Sequence, residues 1–493
     1  MPHWSTAPWP EQLHRPGERA LKNPSGMLRR SDPYYSEMFP HGASAAWDTI
    51  EAVRRRAEST SFRAPEQLMD RDVARRFVAE GPSRSQRMAL LSILDSWGTA
   101  TAEQVVALTG HRSLLDVSSK QYMSLFSSGL LDLGKAMRAF GDVRNHPRDA
   151  LIRHRAPRGQ VRRVAGEEWT SAEYLQVDYG VNFQPPMGGR VDRHNVLGLE
   201  LALRCAEAHE DTSMIFGEKW SSGDSFLPKT RKKVGFNRRS EQYPVRGDGT
   251  IVLRNGLRVV FELTSRFNET IQRKLQRWAR FFAQHPLSES GVVVVFVTAS
   301  PARDRNRSID ASHNELRTQI KAALRRYSGR DRDSPSARIG MMKWTDLFPA
   351  PHEVSDQFES LAAEFATTGW EPRPLMEIDP GFDDEVMHSA PLRHGPVLAA
   401  TPHWWRRGDH TPMISLPSHS TGIGALDPER HLYDFGNQRP VNPPRRLCVI
   451  GANRPLHSAV DAELDPGTDT DDEQAAELFV DDADHSVDDV DAQ

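Results

Sequence analysis

Apolar positions along the chain fall into helical and strand periods between about residues 85 and 350 and into no sustained period at either end. Residues 1–80 are rich in Pro, Arg and Trp, with one helical pattern at 44–57, and read as an N-terminal arm. From Ser85 the spacing of Met88, Leu91 and Leu94, or Leu90, predicts a helix stopped by Gly98. Thr101 begins a second helix, and Gln104 three residues on completes a capping box. A third helix is expected through Leu115, Val117, Tyr122, Leu125 and Phe126, ending at Gly129. GLLDLGK and ALIRHRA then read as two strands able to pair.

Three short helices and a hairpin over 81–165 predict a winged helix-turn-helix, with a small helical bundle as the other reading. If this unit binds DNA, its third helix would enter the major groove and its wing would meet the backbone. Ser118, Ser119, Lys120 and Gln121 would then face the groove, and Arg153, His154 and Arg155 the phosphates. Helix-turn-helix units also serve as protein-protein modules, so both partners stay open.

Residues 170–350 alternate between helix and strand patterns. Val196, Leu199, Leu203 and Ala206 mark a helix at 193–208, and SMIFGEKW a short strand. A loop with six Lys or Arg follows: Lys229, Arg231, Lys232, Lys233, Arg238 and Arg239. VRGDGTIVLRNGLRVVFELTSR reads as a hairpin turning at Asn255-Gly256. Ile271, Leu275, Trp278 and Phe282 line one side of a helix at 268–285, and GVVVVFVTAS is apolar enough to be a parallel strand buried on both faces. A helix at 313–327, a strand near IGMMKW and a last helix at 353–366 complete the pattern. The expected fold class is α+β and multidomain: a winged helix-turn-helix, then a mixed-sheet α/β core, with irregular N- and C-terminal regions. The expected divisions are 1–80, 81–165, 170–350, an irregular Pro/His/Trp-rich region at 351–458, and an acidic tail at 459–493.

Composition narrows the function classes. The formal charge of -4 conceals an asymmetry, because fourteen of the 67 acidic residues lie in 459–493, where no Lys or Arg occurs. Setting that tail aside leaves the remainder about ten charges positive, which suits an anionic polymer and equally a solvated Arg-rich surface. Composition predicts a disordered tail. No run approaches the roughly 18 to 20 apolar residues of a membrane helix, and the N-terminus lacks the pattern of a secretory signal, so the expected location is the cytoplasm with no membrane partner. Two cysteines, Cys205 and Cys448, cannot build a disulfide framework or a cysteine-based zinc site. Neither a GxxxxGK[ST] loop nor a GxSxG elbow is present, and no histidine pair has HExxH spacing.

The hairpin carries the candidate chemistry. Asp248 precedes its first strand and Glu262 lies in its second, and two such carboxylates can hold Mg2+, a candidate cofactor that polarises a phosphodiester and activates water. A two-residue turn would pair Arg254 with Leu257, setting Glu262 opposite Gly249 and Asp248 opposite Leu263. Asp248 would then face away from Glu262 unless a kink at Gly247 or Gly249 turned it inward. The alternative makes Asp248 a turn residue and Glu262 a strand carboxylate paired with Arg246 or Arg258.

This order of elements resembles the PD-(D/E)XK nuclease fold, whose signature is an acid at one strand start and an acid, any residue and Lys on the next. Asp248 and Glu262 match the acids, while Thr264 stands at the lysine position. The resemblance implies that Lys274 on the following helix supplies the ammonium and that Glu200 is an additional catalytic acid. Together with the 85–155 unit, RHNVLGLE at 193–200 and DG(x11)FELTSR, the layout over roughly 80 to 350 is similar to the replication-relaxation family of actinobacterial plasmids and mobile elements. That similarity implies a DNA-binding protein in plasmid replication, relaxation or mobilisation, with proteins of those processes as further partners. The core would be an Mg-dependent endonuclease or a non-enzymatic adaptor.

Overall fold

The computed structural model describes residues 30–381 except 37, 40–44, 60–65, 110–111, 137–149, 155–191, 210, 219–220, 222–244, 254, 266–267, 301–307 and 328. The expected tail and the region beyond 381 lie outside the described residues, as does the N-terminal arm before Arg30. Within the described residues the chain is α+β, with one four-stranded antiparallel sheet and one seven-stranded mixed sheet.

The first sheet belongs to the N-terminal half. Strand β1 (Ala45–Asp48) leads into α1 (Ile50–Ser59), so the pattern expected as one helix over 44–57 divides, with Trp47 packed on the sheet instead of on a helix. The reason is local: β1 hydrogen-bonds to a neighbouring strand, and α1 begins only after it at Ile50. Helices α2 (Arg71–Glu80) and α3 (Arg84–Trp97) follow, then β2 (Thr99–Thr101) and α4 (Ala102–Thr109). The capping box forms as the sequence implies. Thr101 Oγ1 accepts from the Gln104 amide at 3.0 Å, and Gln104 Oε1 accepts from the Thr101 amide at 3.1 Å. The expected third helix is shorter: a 3-10 turn at Arg112–Leu115 precedes α5 (Lys120–Ser127), and the intervening Asp116 side chain accepts the Ser118 amide in place of a helical bond. Strands β3 (Leu131–Ala136) and β4 (Ala150–His154) pair antiparallel, giving the spatial order β1-β3-β4-β2.

The second sheet is built around α6 (Asp192–Ala208), β5 (Thr212–Gly217), β6 (Gly249–Leu253), β7 (Arg258–Thr264), α7 (Glu269–Gln284), a single helical turn at Leu287–Ser290, β8 (Val292–Thr298), α8 (Ile309–Leu324) and β9 (Ile339–Lys343). β5, β6 and β7 form an antiparallel meander, while β7, β8 and β9 run parallel. Every residue of β8 is buried between parallel neighbours, which accounts for its unbroken apolar run. Past β9, the residues read as a helix at 353–366 instead form one short turn at Asp356–Glu359 and strand β10 (Ala362–Phe365), paired with β9 and with β11 (Pro372–Pro374). Leu361, with φ of 47°, breaks the helical run before β10. One buried apolar cluster runs from Ile50 to Ile378 and includes residues of both sheets. Among the described residues no helix is long and apolar enough to cross a membrane.

Candidate active site

The hairpin register differs by one residue from the expected one. Leu253 donates its amide to Leu257 O at 2.8 Å, so three residues, 254–256, make the loop. Gly256 has φ of 83°, the left-handed position of a three-residue hairpin, and the Asn255 side chain accepts the Leu257 amide at 3.0 Å. Leu257 therefore faces Leu253 and not Arg254, and Gly249 faces Phe261 and not Glu262. The Asp248 amide also donates to Phe261 O, at 2.9 Å, so two successive residues address one partner, the arrangement of a β-bulge. Glycine is needed on its far side, since a Cβ at Gly249 would collide with the Phe261 ring.

This strand start delivers Asp248 to a point that two helices reach. Asp248 Oδ2 accepts the Leu263 amide at 2.6 Å, replacing the strand partner that β6 no longer provides. Its Oδ1 lies 2.9 Å from His194 Nε2 on α6 and 3.7 Å from Lys274 Nζ on α7. Phe261 and Leu263 project toward Gly198 of α6, so the alternation of the strand turns Glu262 toward α7. There Glu262 Oε2 meets Lys274 Nζ, and Oε1 accepts the Trp278 indole N–H at 2.9 Å. Lys274 and Trp278 are four residues apart and hence neighbours on one side of α7. The helix is anchored by Asn268, whose side chain accepts the Ile271 amide.

Burial decides the electrostatics. Glu262 is 2% exposed and Asp248 9%, whereas Lys274 keeps 31% of its side chain open to solvent. Burial opposes ionisation of Asp248, but His194 and Lys274 outweigh it, and the His194 and Leu263 hydrogen bonds add to them; the carboxyl stays well below its usual range. At Glu262 burial wins. Its carboxyl is pushed up to about 8, with Lys274 opposing the shift and Asp248 adding to it. Burial works against the Lys274 ammonium, yet Asp248 and Glu262 raise it above the ordinary lysine value. His194 is likewise raised, because Asp248 outweighs the cost of its burial. Burial raises Glu218, and the charge on Asp248 adds to this.

The site is thus an ammonium held between two carboxylates of unlike proton affinity, open on the lysine side. The alternative partners for Glu262 are not used: Arg258 is buried elsewhere, against Ser290 O. Both carboxylates converge on one cationic point, and oxygen donors are the ligands a hard divalent ion prefers, one or two carboxylates being enough for Mg2+. Asp248 and Glu262 therefore fit such an ion with Lys274 moved aside. Among the described residues no cluster of three His, Cys, Asp or Glu is arranged to hold a metal, so water would complete its shell.

Glu200 is not brought to this pair. Its carboxylate accepts from Arg30 at 2.9 Å, Arg204 at 2.9 Å and Gln104 at 3.1 Å, in a separate buried ion network. Six residues separate His194 from Glu200, about 240° around a helix, so the two side chains leave α6 in different directions. His194 and Trp278 are the partners that sequence reading missed. His194 lies in the same RHNVLGLE stretch as Glu200, and its helical offset was the available signal.

The expected nucleic-acid contacts divide three ways. Ser118 and Lys120 are exposed at the start of α5, with Ser119 between them, although Ser118 Oγ donates to Asp116 at 2.6 Å. Gln121 is engaged internally as acceptor for Arg87 at 2.6 Å, and Arg153 bonds Asp132 at 3.1 Å with its guanidinium 4.4 Å from the Trp47 ring centre. Arg153 is therefore tied to the sheet, a consequence of its facing Asp132 across β3 and β4. Arg155, Lys229, Arg231, Lys232, Lys233, Arg238 and Arg239 lie outside the described residues. No protein-family model, curated protein or solved structure matches the chain.

Proposed function

We propose that this chain is a DNA-binding protein that cleaves phosphodiesters with a divalent metal at Asp248 and Glu262, assisted by Lys274. The carrying observation is the convergence of these two carboxylates on the Lys274 ammonium. The element order from α6 to β8, an antiparallel meander followed by a helical crossover to a parallel strand, supports a PD-(D/E)XK-like core. Lys274 reaches from α7 the place that the strand residue Thr264 leaves without an ammonium. The order of α3, β2, α4, α5, β3 and β4 supports a winged helix-turn-helix beside it. A role in plasmid or mobile-element replication, relaxation or mobilisation is the corresponding biological proposal, in the manner of the replication-relaxation family.

In this reading Asp248 and Glu262 hold Mg2+, which when bound supplies Lewis-acid polarisation of the phosphoryl oxygen and a more acidic water. Asp248, ionised at neutral pH, provides the fixed negative charge. Lys274 is charged and about a third open to solvent, so it can swing from Glu262 to donate to a phosphoryl oxygen as charge accumulates there. His194 orients Asp248 through its 2.9 Å contact, and Trp278 orients Glu262.

A second reading, a non-enzymatic DNA-binding adaptor, rests on a specific observation: each oxygen of both carboxylates already has a donor, and Thr264 occupies the strand position of the signature lysine. Incubating supercoiled plasmid with Mg2+ or Mn2+ separates the two. Nicking by wild type that is lost in Asp248→Ala and Glu262→Ala establishes the enzyme. Intact gel-shift binding with no metal-dependent nicking establishes the adaptor, and absence of both removes the DNA reading.

A further inference from the structure

We infer that the outer face of α7 is the track along which a nucleic-acid backbone reaches the carboxylate pair, an inference that rests on the DNA-binding reading above. Arg273, Arg277 and Arg280 are all exposed, and their spacing of four and three residues sets them in one row along the helix. The row lies opposite the buried side formed by Leu275, Trp278, Ala279 and Phe282. Lys274 follows Arg273 in the chain and stands on the shoulder between row and core, with its ammonium at Glu262. The row therefore begins where the site opens.

Charge and length both suit a phosphate backbone. Glu269, 4.0 Å from Arg273, is the sole acid in α7, and that contact is between side chains 45% and 80% exposed, so water competes with it. By comparison α8 balances its signs, carrying Asp310 and Glu315 against Arg317 and Lys321. From Arg273 to Arg280 the helix rises about 10 Å at roughly 1.5 Å per residue. One strand of a duplex carries a phosphate about every 3.4 Å along its axis, so the three guanidiniums span about three phosphates. Guanidinium also pairs with phosphate in a forked geometry that lysine lacks.

The test compares full-length wild type with the triple variant Arg273→Gln, Arg277→Gln, Arg280→Gln, and with the charge-preserving Arg→Lys triple. Binding to a mixed-sequence 20-base-pair DNA duplex is followed by fluorescence anisotropy from 50 to 200 mM NaCl, with melting curves confirming that each variant folds. Loss of three phosphate contacts flattens the slope of log K against log salt by about 2.7 in the Gln triple, while the Lys triple retains it. Wild-type binding with an unchanged slope in the Gln triple overturns the track and leaves the DNA reading standing. No binding by wild type at 50 mM overturns both.

Discussion

At the scale of single residues, Glu262 and Asp248 are opposite cases of one chemistry. Glu262 titrates near about 8 when folded, against about 4.3 for an unperturbed glutamate. Between those values the folded chain holds a proton that the unfolded chain has released, so raising the pH favours unfolding. The contribution of Glu262 is full below about 4.3 and is lost as pH rises through about 8. Wild type should therefore lose melting temperature relative to Glu262→Gln between pH 5 and 9, and parallel curves would refute the assignment. Added Mg2+ should pull the Glu262 carboxyl midpoint down in 13C NMR, because a cation favours the ionised form. Asp248, held below its usual range, acts in the other direction: its stabilisation is present above the unfolded aspartate value of about 3.9 and fades as pH falls through the lower folded value. Asp248→Asn should be destabilising in urea at pH 7, with the difference shrinking in acid. Both acids were legible in the sequence because each lies in or beside one hairpin, whereas Lys274 on α7 came only from the resemblance to the nuclease pattern. His194 and Trp278 were not, since each is fixed by helix direction and packing.

At the scale of elements, a single loop residue decides how the hairpin faces. Asn255-Gly256 suggests a two-residue turn, yet Gly256 occupies the third loop position because the Asn255 side chain caps Leu257 and Gly256 N–H returns to Leu253 O. A shift of one residue reverses which side chains share a face. The composition of the loop was readable, whereas its register depends on these two bonds. The flanking glycines permitted a kink at Asp248 without requiring one, and in the observed register the Asp248 amide meets Phe261 O, the partner of Gly249. Gly249→Ala and Gly256→Ala distinguish the two features. An added methyl at Gly249 meets the Phe261 ring and should cost about 1–3 kcal/mol as overpacking while displacing Asp248 from Lys274. Gly256→Ala carries only the backbone cost of its positive φ, about 1 kcal/mol, and should leave the Glu262 titration near its wild-type midpoint. Urea denaturation paired with the NMR titration reads both effects, and a shifted midpoint in the Gly256 variant would contradict the separation.

At the scale of the whole molecule, the network around Glu200 joins parts that are distant in sequence. Arg30 bonds Glu200 at 2.9 Å and Glu207 at 2.7 Å, and Arg204 bonds Glu200 at 2.9 Å and Asp32 at 2.7 Å. Gln104 of α4 donates to Glu200 and to Val196 O, while the His352 amide donates to Asp32. The N-terminal segment, α4, α6 and the turn beyond β9 are thereby tied through one set of charges that are 0–2% exposed. Burial opposes the Glu200 carboxylate, but Arg30 and Arg204 hold it down to about 2, so it stays ionised at neutral pH. Replacing one member of such a set leaves buried charge uncompensated, at a cost of about 3–5 kcal/mol. Glu200→Gln should therefore lower the urea midpoint strongly and speed amide exchange at residues 31–36, which this network anchors. A catalytic acid would behave in the opposite way, with stability retained and cleavage lost. If Glu200→Gln keeps the wild-type midpoint, the structural role fails; if it unfolds early yet nicks plasmid at the wild-type rate per folded molecule, Glu200 belongs to the scaffold and the chemistry rests with Asp248, Glu262 and Lys274.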